Sequence, residues 1–548
     1  MHLVNLTDPD ERVVTTVLRR QAEAVPDHIF LAGEYGAHSY GEVWERSLRY
    51  AGALADLGVG RGDTVAMFMD NSPEMAIAAF GANQAGAIWS PVSTEYRGEW
   101  LQELLQDICS RVLIVDAHLL PTITSLAETN FDHLVVKGDL PADVDTRLPG
   151  VTVHRLADFA EHTEIATTPD WFYGDTNSIM WTSGTTGRSK GVEQPHNAWI
   201  SHALHHNDIR GGVREGENFY GCVPMYNSSG WSMNVYAALI TGAKAGIDKR
   251  FSVRDYWNRI KFYDAHHTMM LGTMHVFLSQ QEPSAAEREN TLRTLVMNPP
   301  VPDLIEVAKD RWGVETVFSG YGQSEVLGAV MYRDDWGLKA GACGAPRPDD
   351  LVETVLLDAH DQEVGVDEVG EFCVRPRQPF TIFNGYFHAP DKTAEAFRNL
   401  WYHTGDLGRK DADGEMFFVD RKKDSLRFKG RNLSSFEVEH IARGFPGIVD
   451  TAAVGVQPTE IEYASQLHEY ELLLYVLPEP GSTIDPLSLC RYIDEHAPYF
   501  FVPRYVHQVE EFPMTPTSKV QKYKLREKGL PENAWDRLVA APDWSPTR

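Results

Sequence analysis

The stretch from Thr182 to Gly191 has the composition of a loop that binds phosphate groups. It reads TSGTTGRSKG and follows an apolar, strand-like run from Ser178 to Trp181. Glycines let the backbone approach a ligand closely, hydroxyl and free N–H groups offer donors, and Lys190 adds a positive charge at the exit. The spacing is not that of a P-loop. Taken alone, the string also fits a polar surface loop.

Two further segments combine residue types that suit a nucleotide. The stretch GYGQSE at 320–325 offers the ring of Tyr321 for stacking on a base and the carboxylate of Glu325 as a ligand for Mg²⁺. The stretch WYHTGDLG at 401–408 offers Asp406, and one carboxylate can accept hydrogen bonds from both hydroxyls of a ribose. Each segment alone also fits an ordinary turn with a solvated acid.

The elements that must position these segments alternate between short apolar runs and helical patterns. Strands are predicted at 64–69, 88–92, 112–115 and 133–136, and helices at 12–24, 41–57 and 74–87. Such alternation indicates βαβ units and a mostly parallel sheet. From 352 to 374 the pattern changes to strands joined by turns, and another strand is predicted at 416–419. The sequence therefore predicts an α/β protein with a β-rich subdomain.

The composition is that of an ordinary globular protein with an acidic surface. Against 50 Lys and Arg there are 78 Asp and Glu, a formal charge of −28, which argues against general nucleic-acid binding. The five cysteines include no CxxC pair, as in a reduced intracellular protein. No signal-peptide pattern and no run of about 20 apolar residues occurs, so we expect a cytoplasmic protein that does not enter a membrane.

Together the three segments resemble, in order and spacing, the signature motifs of the adenylate-forming superfamily. This superfamily includes acyl-CoA synthetases, adenylation domains of non-ribosomal peptide synthesis and firefly luciferase. The resemblance covers residues 10–528, and it is nearest in look to the carnitine/crotonobetaine- and aryl- or medium-chain-type acid:CoA ligases. It implies ATP, Mg²⁺ and CoA as the small molecules bound.

The resemblance also implies roles for individual residues. Tyr321 is expected to pack on adenine, Ser324 to contact the α-phosphate, and Asp406 to bind the ribose. Glu325 and Thr182 are expected to hold Mg²⁺. The expected ATP- and AMP-binding residues are Thr182, Ser183, Gly184, Thr185, Thr186, Gly187, Lys190, Gly320, Tyr321, Gly322, Gln323, Ser324, Asp406 and Arg421. The expected catalytic residues are Lys519, Glu325, Lys190 and Thr182.

The charged run DRKKD at 420–424 resembles the hinge between the two domains of this superfamily. Asp424 matches the pivot, Arg421 matches an arginine that reaches the ribose or phosphate, and the loop with Lys429 and Gly430 matches the one that helps to build the thioester site. A charged run is also simply a solvated linker, and both interpretations can hold together. Arg431 stands where the family commonly has Glu, which we do not interpret.

Lys519 matches the lysine of the family's C-terminal motif. A carboxylate that attacks the α-phosphate builds up negative charge, and a lysine that bridges both groups stabilises that charge and positions them. The family usually has Gly before this lysine, whereas this chain has Ser518. Lys522 and Lys524 lie close enough in sequence to compete for the assignment.

The acyl group is expected to lie between the phosphate loop and the adenine motif. There Trp231, Met233, Met274 and Leu327 would form an apolar pocket that suits an aryl or a short-to-medium acyl group, although all four could equally be plain core residues. Asn227 stands where the family often has His, and Asn298-Pro299-Pro300 replaces a Gly-rich turn, so the acyl class and the use of CoA stay open. The expected pocket residues are Tyr226, Asn227, Trp231, Gly272, Met274, Ser319 and Leu327.

These observations predict a large N-terminal AMP-binding domain over 1–420, a hinge at 421–424, and a small, mobile α+β domain over 425–530 with the catalytic lysine. A loosely attached tail is expected at 531–548. The predicted function is an AMP-forming acid:CoA ligase. One alternative omits CoA and transfers the acyl group to an amine or a carrier protein, or uses nitrite to diazotise an aryl amine. The other is a non-catalytic binding protein on the same fold. A homodimer is expected only from the general frequency of dimers.

Overall fold

The computed structural model describes residues 7–141, 148–163, 168–182, 189–272, 274–337, 339, 341–346, 351–421, 425–428, 431–457, 470–513, 520 and 522–547. Its strands, in chain order, are β1 (Ile29–Gly33), β2 (Gly36–Ser39), β3 (Thr64–Phe68), β4 (Ile88–Pro91), β5 (Val112–Asp116), β6 (His133–Lys137), β7 (Thr152–Arg155), β8 (Thr176–Thr182), β9 (Lys190–Pro195), β10 (Phe219–Gly221), β11 (Ala245–Ile247), β12 (His267–Leu271), β13 (Thr294–Asn298), β14 (Thr316–Tyr321), β15 (Val330–Arg333), β16 (Ala345–Pro346), β17 (Val352–Leu357), β18 (Val369–Pro376), β19 (Gly385–Tyr386), β20 (Phe397–Arg398), β21 (Trp401–Lys410), β22 (Met416–Arg421), β23 (Ser425–Phe428), β24 (Arg431–Ser434), β25 (Ile448–Val456), β26 (Glu471–Pro478), β27 (Tyr505–Gln508) and β28 (Trp535–Asp536).

The α-helices between these strands begin in several cases at residues that suit a helix start. Ser39 and Glu42 form a capping box at the start of the second helix, and Ser72 followed by Pro73 opens the third. The helices are α1 (Val14–Ala24), α2 (Tyr40–Asp56), α3 (Pro73–Gln84), α4 (Gly98–Ile108), α5 (Leu120–Thr124), α6 (Leu156–Ala160), α7 (His196–Ile209), α8 (Ser228–Gly230), α9 (Tyr236–Thr241), α10 (Tyr256–Phe262), α11 (Met274–Ser279), α12 (Ala285–Arg288), α13 (Pro302–Asp310), α14 (Pro390–Ala396), α15 (Ser435–Arg443), α16 (Pro486–His496), α17 (Lys522–Glu527) and α18 (Arg537–Ala540).

Two large sheets, mostly parallel, form the N-terminal part. Within the described residues, the strand order of the first sheet is β19-β9-β8-β4-β3-β5-β6-β7, and that of the second is β16-β15-β14-β13-β12-β10-β11-β1-β2. Pairing is parallel from β8 to β7 in the first sheet and from β14 to β1 in the second. The predicted α/β class is confirmed, and the predicted strands and helices appear with bounds shifted by a few residues.

Helices lie between the two sheets and on their outer faces. Val65 and Met67 of β3 face the largest buried cluster, which also holds residues of both sheets and of α1, α2, α3, α7 and α9. Ala66 and Phe68 of the same strand face a second cluster with α4 and α5. This alternation is what a strand buried on both faces requires. In the second sheet, the carboxyl ends of the parallel strands lie at one edge of the sheet, and a ligand site can form there.

The remaining sheets belong to the β-rich subdomain and to the C-terminal part. Strands β17, β18, β21, β20 and β22 form an antiparallel sheet, which agrees with the strands predicted at 352–374 and 416–419. In the C-terminal part, β25, β26, β27 and β28 form one sheet on which α15 and α16 pack. The ring of Trp100 on α4 meets Phe501 edge to face, with centroids 5.8 Å apart, and links the two parts.

The C-terminal tail is packed, so the expectation of loose attachment is wrong. β28 pairs with Tyr505 and Val506 of β27, and Asp536 forms an ion pair with Arg504 at 3.1 Å. Trp535 and Trp544 pack against the core of the C-terminal part. Among the described residues, no helix has the length and apolar character to cross a bilayer.

Candidate active site

One cavity of about 940 Å³ collects most of the described residues that the motifs single out. The ends of β8 and β14 and the segment from Tyr226 to Ser229 line it, and Tyr470 and Phe500 of the C-terminal part border it. Clefts of this size at the carboxyl ends of parallel strands are where α/β proteins bind ligands.

Asp406 and Tyr321 form a hydrogen-bonded pair at one end of this cavity. Asp406 is only 3% exposed, and its Oδ2 accepts hydrogen bonds from the Tyr321 hydroxyl at 2.8 Å and from Gln323 Nε2 at 2.7 Å. Gln323 Nε2 also donates to the Thr404 carbonyl, while its Oε1 accepts a hydrogen bond from Tyr402 at 2.9 Å. The amide is thus held from both sides, and it fixes the orientation of the carboxylate.

The ring of Tyr321 has one face covered by protein. Phe372 stacks on it with centroids 4.4 Å apart and planes inclined by 26°. Tyr321 lines the cavity, so an adenine ring that packs on this tyrosine would use the opposite face.

The two ends of the phosphate loop are joined as a hairpin. Thr182 at the end of β8 pairs with Lys190 at the start of β9. The ammonium group of Lys190 lies 4.6 Å from the centroid of the Tyr386 ring, and the Tyr386 hydroxyl donates to Glu325 Oε1 at 2.9 Å. Ser183, Gly184, Thr185, Thr186 and Gly187 lie outside the described residues.

Glu325 is a buried carboxyl, 7% exposed, close to this hairpin. Burial raises its pKa above the ordinary value, while the hydrogen bond from Tyr386 and the charge of Lys190 act in the opposite direction. A second positive charge beside Glu325 would therefore stabilise its ionised form. The oxygen donors of Glu325 and Thr182 are the ligand types of a hard cation, so they fit Mg²⁺.

Ser324, Ser319 and Asn298 border the centre of the cavity. The Ser324 hydroxyl lies 3.5 Å from that of Ser228, and the side-chain amide of Gln194 donates to the Ser324 carbonyl. Asn298 Oδ1 accepts hydrogen bonds from Ser319 Oγ at 2.5 Å and from the Gly320 amide at 3.2 Å. The asparagine that departs from the family pattern thus holds the end of β14, which carries the adenine motif.

Not every residue expected in the acyl pocket lines the cavity. Tyr226, Asn227, Ser319 and Leu327 do. Trp231 does not: its ring is wholly buried and packs against Trp89, with centroids 4.1 Å apart and planes inclined by 37°. It belongs to a π-helical turn, Trp231–Val235, which points the ring into the core between the sheets.

Gly272 and Met274 were also predicted to line the pocket, and the structure contradicts this. The Gly272 amide donates to the Asn298 carbonyl and continues the pairing of the strand ends. The Met274 sulfur accepts a hydrogen bond from the Leu271 amide at 3.4 Å, and its side chain packs on the outer core under α10 and α13.

The apolar wall of the cavity comes from residues that sequence reasoning mostly missed. They sit on neighbouring strands of the second sheet, at the end of α7 and, for Met233, in the π-helical turn. The order of strands, which the sequence does not reveal, brings most of them together. The residues of this apolar wall are Ile209, Met233, Met269, Leu271, Val296, Phe318 and Met331. Arg210 follows Ile209 and also lines the cavity.

Several expected site residues fall where their side chains are not described. Arg421 pairs through its backbone with Asp406 in β22 and β21. Asp424, Lys429, Gly430 and Lys519 lie outside the described residues. Lys522 is an alternative to Lys519 in the assignment of the catalytic lysine. It forms an ion pair with Glu439 at 2.6 Å and donates a hydrogen bond to Ser435 at 2.8 Å.

The sequence model of the family described as AMP-binding enzyme matches residues 18–387, and the chain belongs to this family. Its curated relatives include the crotonobetaine/carnitine–CoA ligase of Salmonella arizonae, which is 28% identical over 502 residues, or 90% of this chain and 94% of the relative.

Solved structures share the fold along almost the whole chain. The o-succinylbenzoate CoA synthetase of Bacillus subtilis superposes with a TM-score of 0.79 at 21% identity, over 93% of this chain and 98% of the other. The amide bond synthetase McbA from Marinactinospora thermotolerans gives a TM-score of 0.75 at 21% identity, over 93% and 99%. An anthranilate CoA ligase, AuaEII, gives 0.67 at 23% identity, over 94% and 97%.

Proposed function

We propose that this chain is an ATP-dependent, AMP-forming acid:CoA ligase. The observation that carries the proposal is the buried Asp406, held by Tyr321 and Gln323 at one end of a cavity whose other end is apolar. A nucleoside fits the first end and the hydrocarbon part of an acid fits the second. Membership of the AMP-binding enzyme family and the curated relatives, which are CoA ligases, support the same activity.

In the first step, a carboxylate oxygen of the acid attacks the α-phosphorus of ATP. The bond from this phosphorus to the bridging oxygen of pyrophosphate breaks, which gives an acyl-adenylate and pyrophosphate. Asp406 would hold the ribose, and Ser324 would donate to the α-phosphate. Lys190 and Lys519 would stabilise the charge that builds up. Glu325 and Thr182 would hold Mg²⁺, which screens the charge of the triphosphate.

In the second step, the sulfur of CoA attacks the acyl carbon, the thiol loses its proton, and AMP leaves. We propose that the C-terminal part, residues 425–530, turns about Asp424 between the steps, so that Lys519 serves the first and the loop with Lys429 and Gly430 serves the second. The ion pair of Lys522 with Glu439 supports Lys519 as the reactive lysine, since it engages Lys522 within its own domain.

All five cysteines are free thiols, which supports a reducing compartment, and we propose a cytoplasmic location. Asn227 lines the cavity where the family often has His, and this departure bears on which acceptor takes the acyl group. The alternative without CoA, including nitrite with an aryl amine, is therefore tested in the same experiment.

The test is a pyrophosphate-release assay with MgATP and a panel of aryl, short-chain and medium-chain acids, each with and without CoA. Nitrite with an amino-aryl acid is a further arm, and products are identified by mass spectrometry. A CoA thioester is the expected product. AMP formation that is indifferent to CoA would replace the ligase with the alternative, and absence of pyrophosphate release in every arm would favour a binding protein.

A further inference from the structure

Arg210 is a buried cation at the apolar end of the cavity. It is 4% exposed and lines the cavity directly after Ile209, the last residue of α7. Its guanidinium lies over the ring of Phe219 at 5.3 Å, and among the described residues Nη2 has one hydrogen-bond partner, the weakly accepting sulfur of Met233, at 3.6 Å. The buried Nη1 has no hydrogen-bond partner, and no carboxylate among the described residues forms an ion pair with Arg210.

The charged groups next to Arg210 are already balanced without it. Glu217 accepts hydrogen bonds from Arg293 at 2.6 and 2.9 Å and also contacts His267 at 3.2 Å. Burial is the main cause that lowers the pKa of His267 to about 4, so this ring is neutral at pH 7. Arg293 and Glu217 then cancel, Arg214 lies 3.8 Å from Glu217 and 3.4 Å from Glu315, and among the described residues the charge of Arg210 stays uncompensated.

Arg210 keeps that charge at neutral pH. Burial, with a smaller contribution from Arg293, lowers its pKa to about 10, which is still far above 7. An unpaired buried cation destabilises a protein unless an anion meets it. A guanidinium with one unpaired nitrogen, and another that contacts only a thioether, presents the planar fork that a carboxylate matches.

We propose that Arg210 binds a second carboxylate of the acid that this enzyme activates, so that the substrate is a dicarboxylic acid. This rests on the proposed function. One carboxylate reacts at the α-phosphate, near Ser324, and the other meets Arg210. The apolar residues between these ends, among them Met269, Phe318 and Met331, contact the hydrocarbon part of the acid.

The experiment compares acids matched in chain length: adipate with hexanoate, succinate with butyrate, and terephthalate with benzoate. Pyrophosphate release is measured for the wild type, Arg210→Met and Arg210→Lys. Arg288→Met is the control, because Arg288 is an exposed arginine on α12 that does not line the cavity. Thermal unfolding of each variant checks that it is folded.

For at least one pair, the wild type is expected to have a kcat/KM about 100-fold higher for the dicarboxylic acid. A bound monocarboxylic acid leaves the buried Arg210 guanidinium unpaired, which weakens binding. Arg210→Met should abolish that preference through KM, Arg210→Lys should retain part of it, and Arg288→Met should leave it unchanged. A preference for the monocarboxylic acid in every pair, or an equal loss for both members of a pair in Arg210→Met, overturns the proposal.

A binding measurement separates this inference from the proposed function. Adipate, terephthalate and succinate are titrated by calorimetry into wild type and Arg210→Met in the presence of AMP. If no acid releases pyrophosphate but one of these three binds the wild type and not Arg210→Met, the ligase function fails and the anion site stands. If none distinguishes the two proteins, the anion site fails whatever the activity.

Discussion

The hydroxyl of Tyr321 donates a hydrogen bond of 2.8 Å to Asp406, 85 residues further along the chain. This bond joins two sheets: Tyr321 ends β14 of the second large sheet, and Asp406 lies in β21 of the antiparallel sheet. The group proposed to stack on adenine and the group proposed to hold the ribose are therefore positioned as one unit.

Asp406→Ala is expected to raise KM for ATP by about tenfold or more, because a hydrogen bond to a charged group is worth about 1.5–3 kcal/mol. Tyr321→Phe keeps the ring and removes only the hydroxyl, so a smaller rise is expected. Asp132→Ala serves as a control, since Asp132 is exposed and pairs with Arg111, and neither residue lines the cavity. Initial rates at varied ATP measure the effect, and an unchanged KM in Asp406→Ala would reject the ribose role.

Glu325→Gln is expected to stabilise the protein without ligand at neutral pH while it stops adenylation. The pKa of Glu325 is raised in the folded state, so its contribution to stability is fully present below the unfolded pKa and is lost as pH rises through the folded pKa. Glutamine stays neutral throughout and lacks this loss. The Tm advantage of the variant should therefore grow from pH 4 to pH 8 in calorimetry. A variant that is less stable at pH 8 than at pH 4, relative to wild type, contradicts this.

Trp231→Ala is expected to lower the free energy of unfolding by about 3–5 kcal/mol, because it empties a wholly buried site between the sheets. Urea denaturation measures the loss. Trp336→Ala is the control, since Trp336 is exposed and should change stability little. The conservative Trp231→Phe should leave the order of preferred acids unchanged, and a reordered acid profile would mean that the indole shapes the pocket after all.

Lys519→Ala is expected to abolish acyl-adenylate formation while it leaves thioester formation from synthetic acyl-adenylate largely intact. Lys522→Ala should instead lower the stability of the C-terminal part, because it removes the nearer ion-pair partner of the buried Glu439 and leaves Arg443 at 3.7 Å. The two half-reactions are assayed separately with both variants. Equal loss of both half-reactions in Lys519→Ala would remove this lysine from the chemistry of the first step.

The sequence allowed the strands, the helices and the nucleotide motifs to be predicted, because these depend on local patterns. Thr182, Tyr321 and Asp406 each lie in a contiguous string, and the structure places two of them in direct contact. Trp231 and Met274 were misassigned, since an apolar residue beside a motif has the same pattern whether it faces a cavity or the core. Only the tertiary arrangement decides which of the two it faces.

Arg210 was missed for a related reason. In the sequence it is one arginine in a polar stretch after a helix, and nothing nearby marks it as unpaired. Within the described part of the chain, Arg210 lacks an ion-pair partner because Glu217 is paired with Arg293, which lies 76 residues further along the chain. The packing of the C-terminal tail was not predicted, because a two-residue strand such as β28 is too short to produce a sequence pattern of its own.

The edge-to-face contact of Trp100 with Phe501 offers an optical reporter for the proposed rotation of the C-terminal part. A turn of the C-terminal part about the hinge would pull the indole away from the phenyl ring and into water, and its fluorescence emission would move to longer wavelength. The difference between spectra of wild type and Trp100→Phe isolates that signal from the other tryptophans. Domain rotation could then be timed in a stopped-flow instrument without attaching a dye.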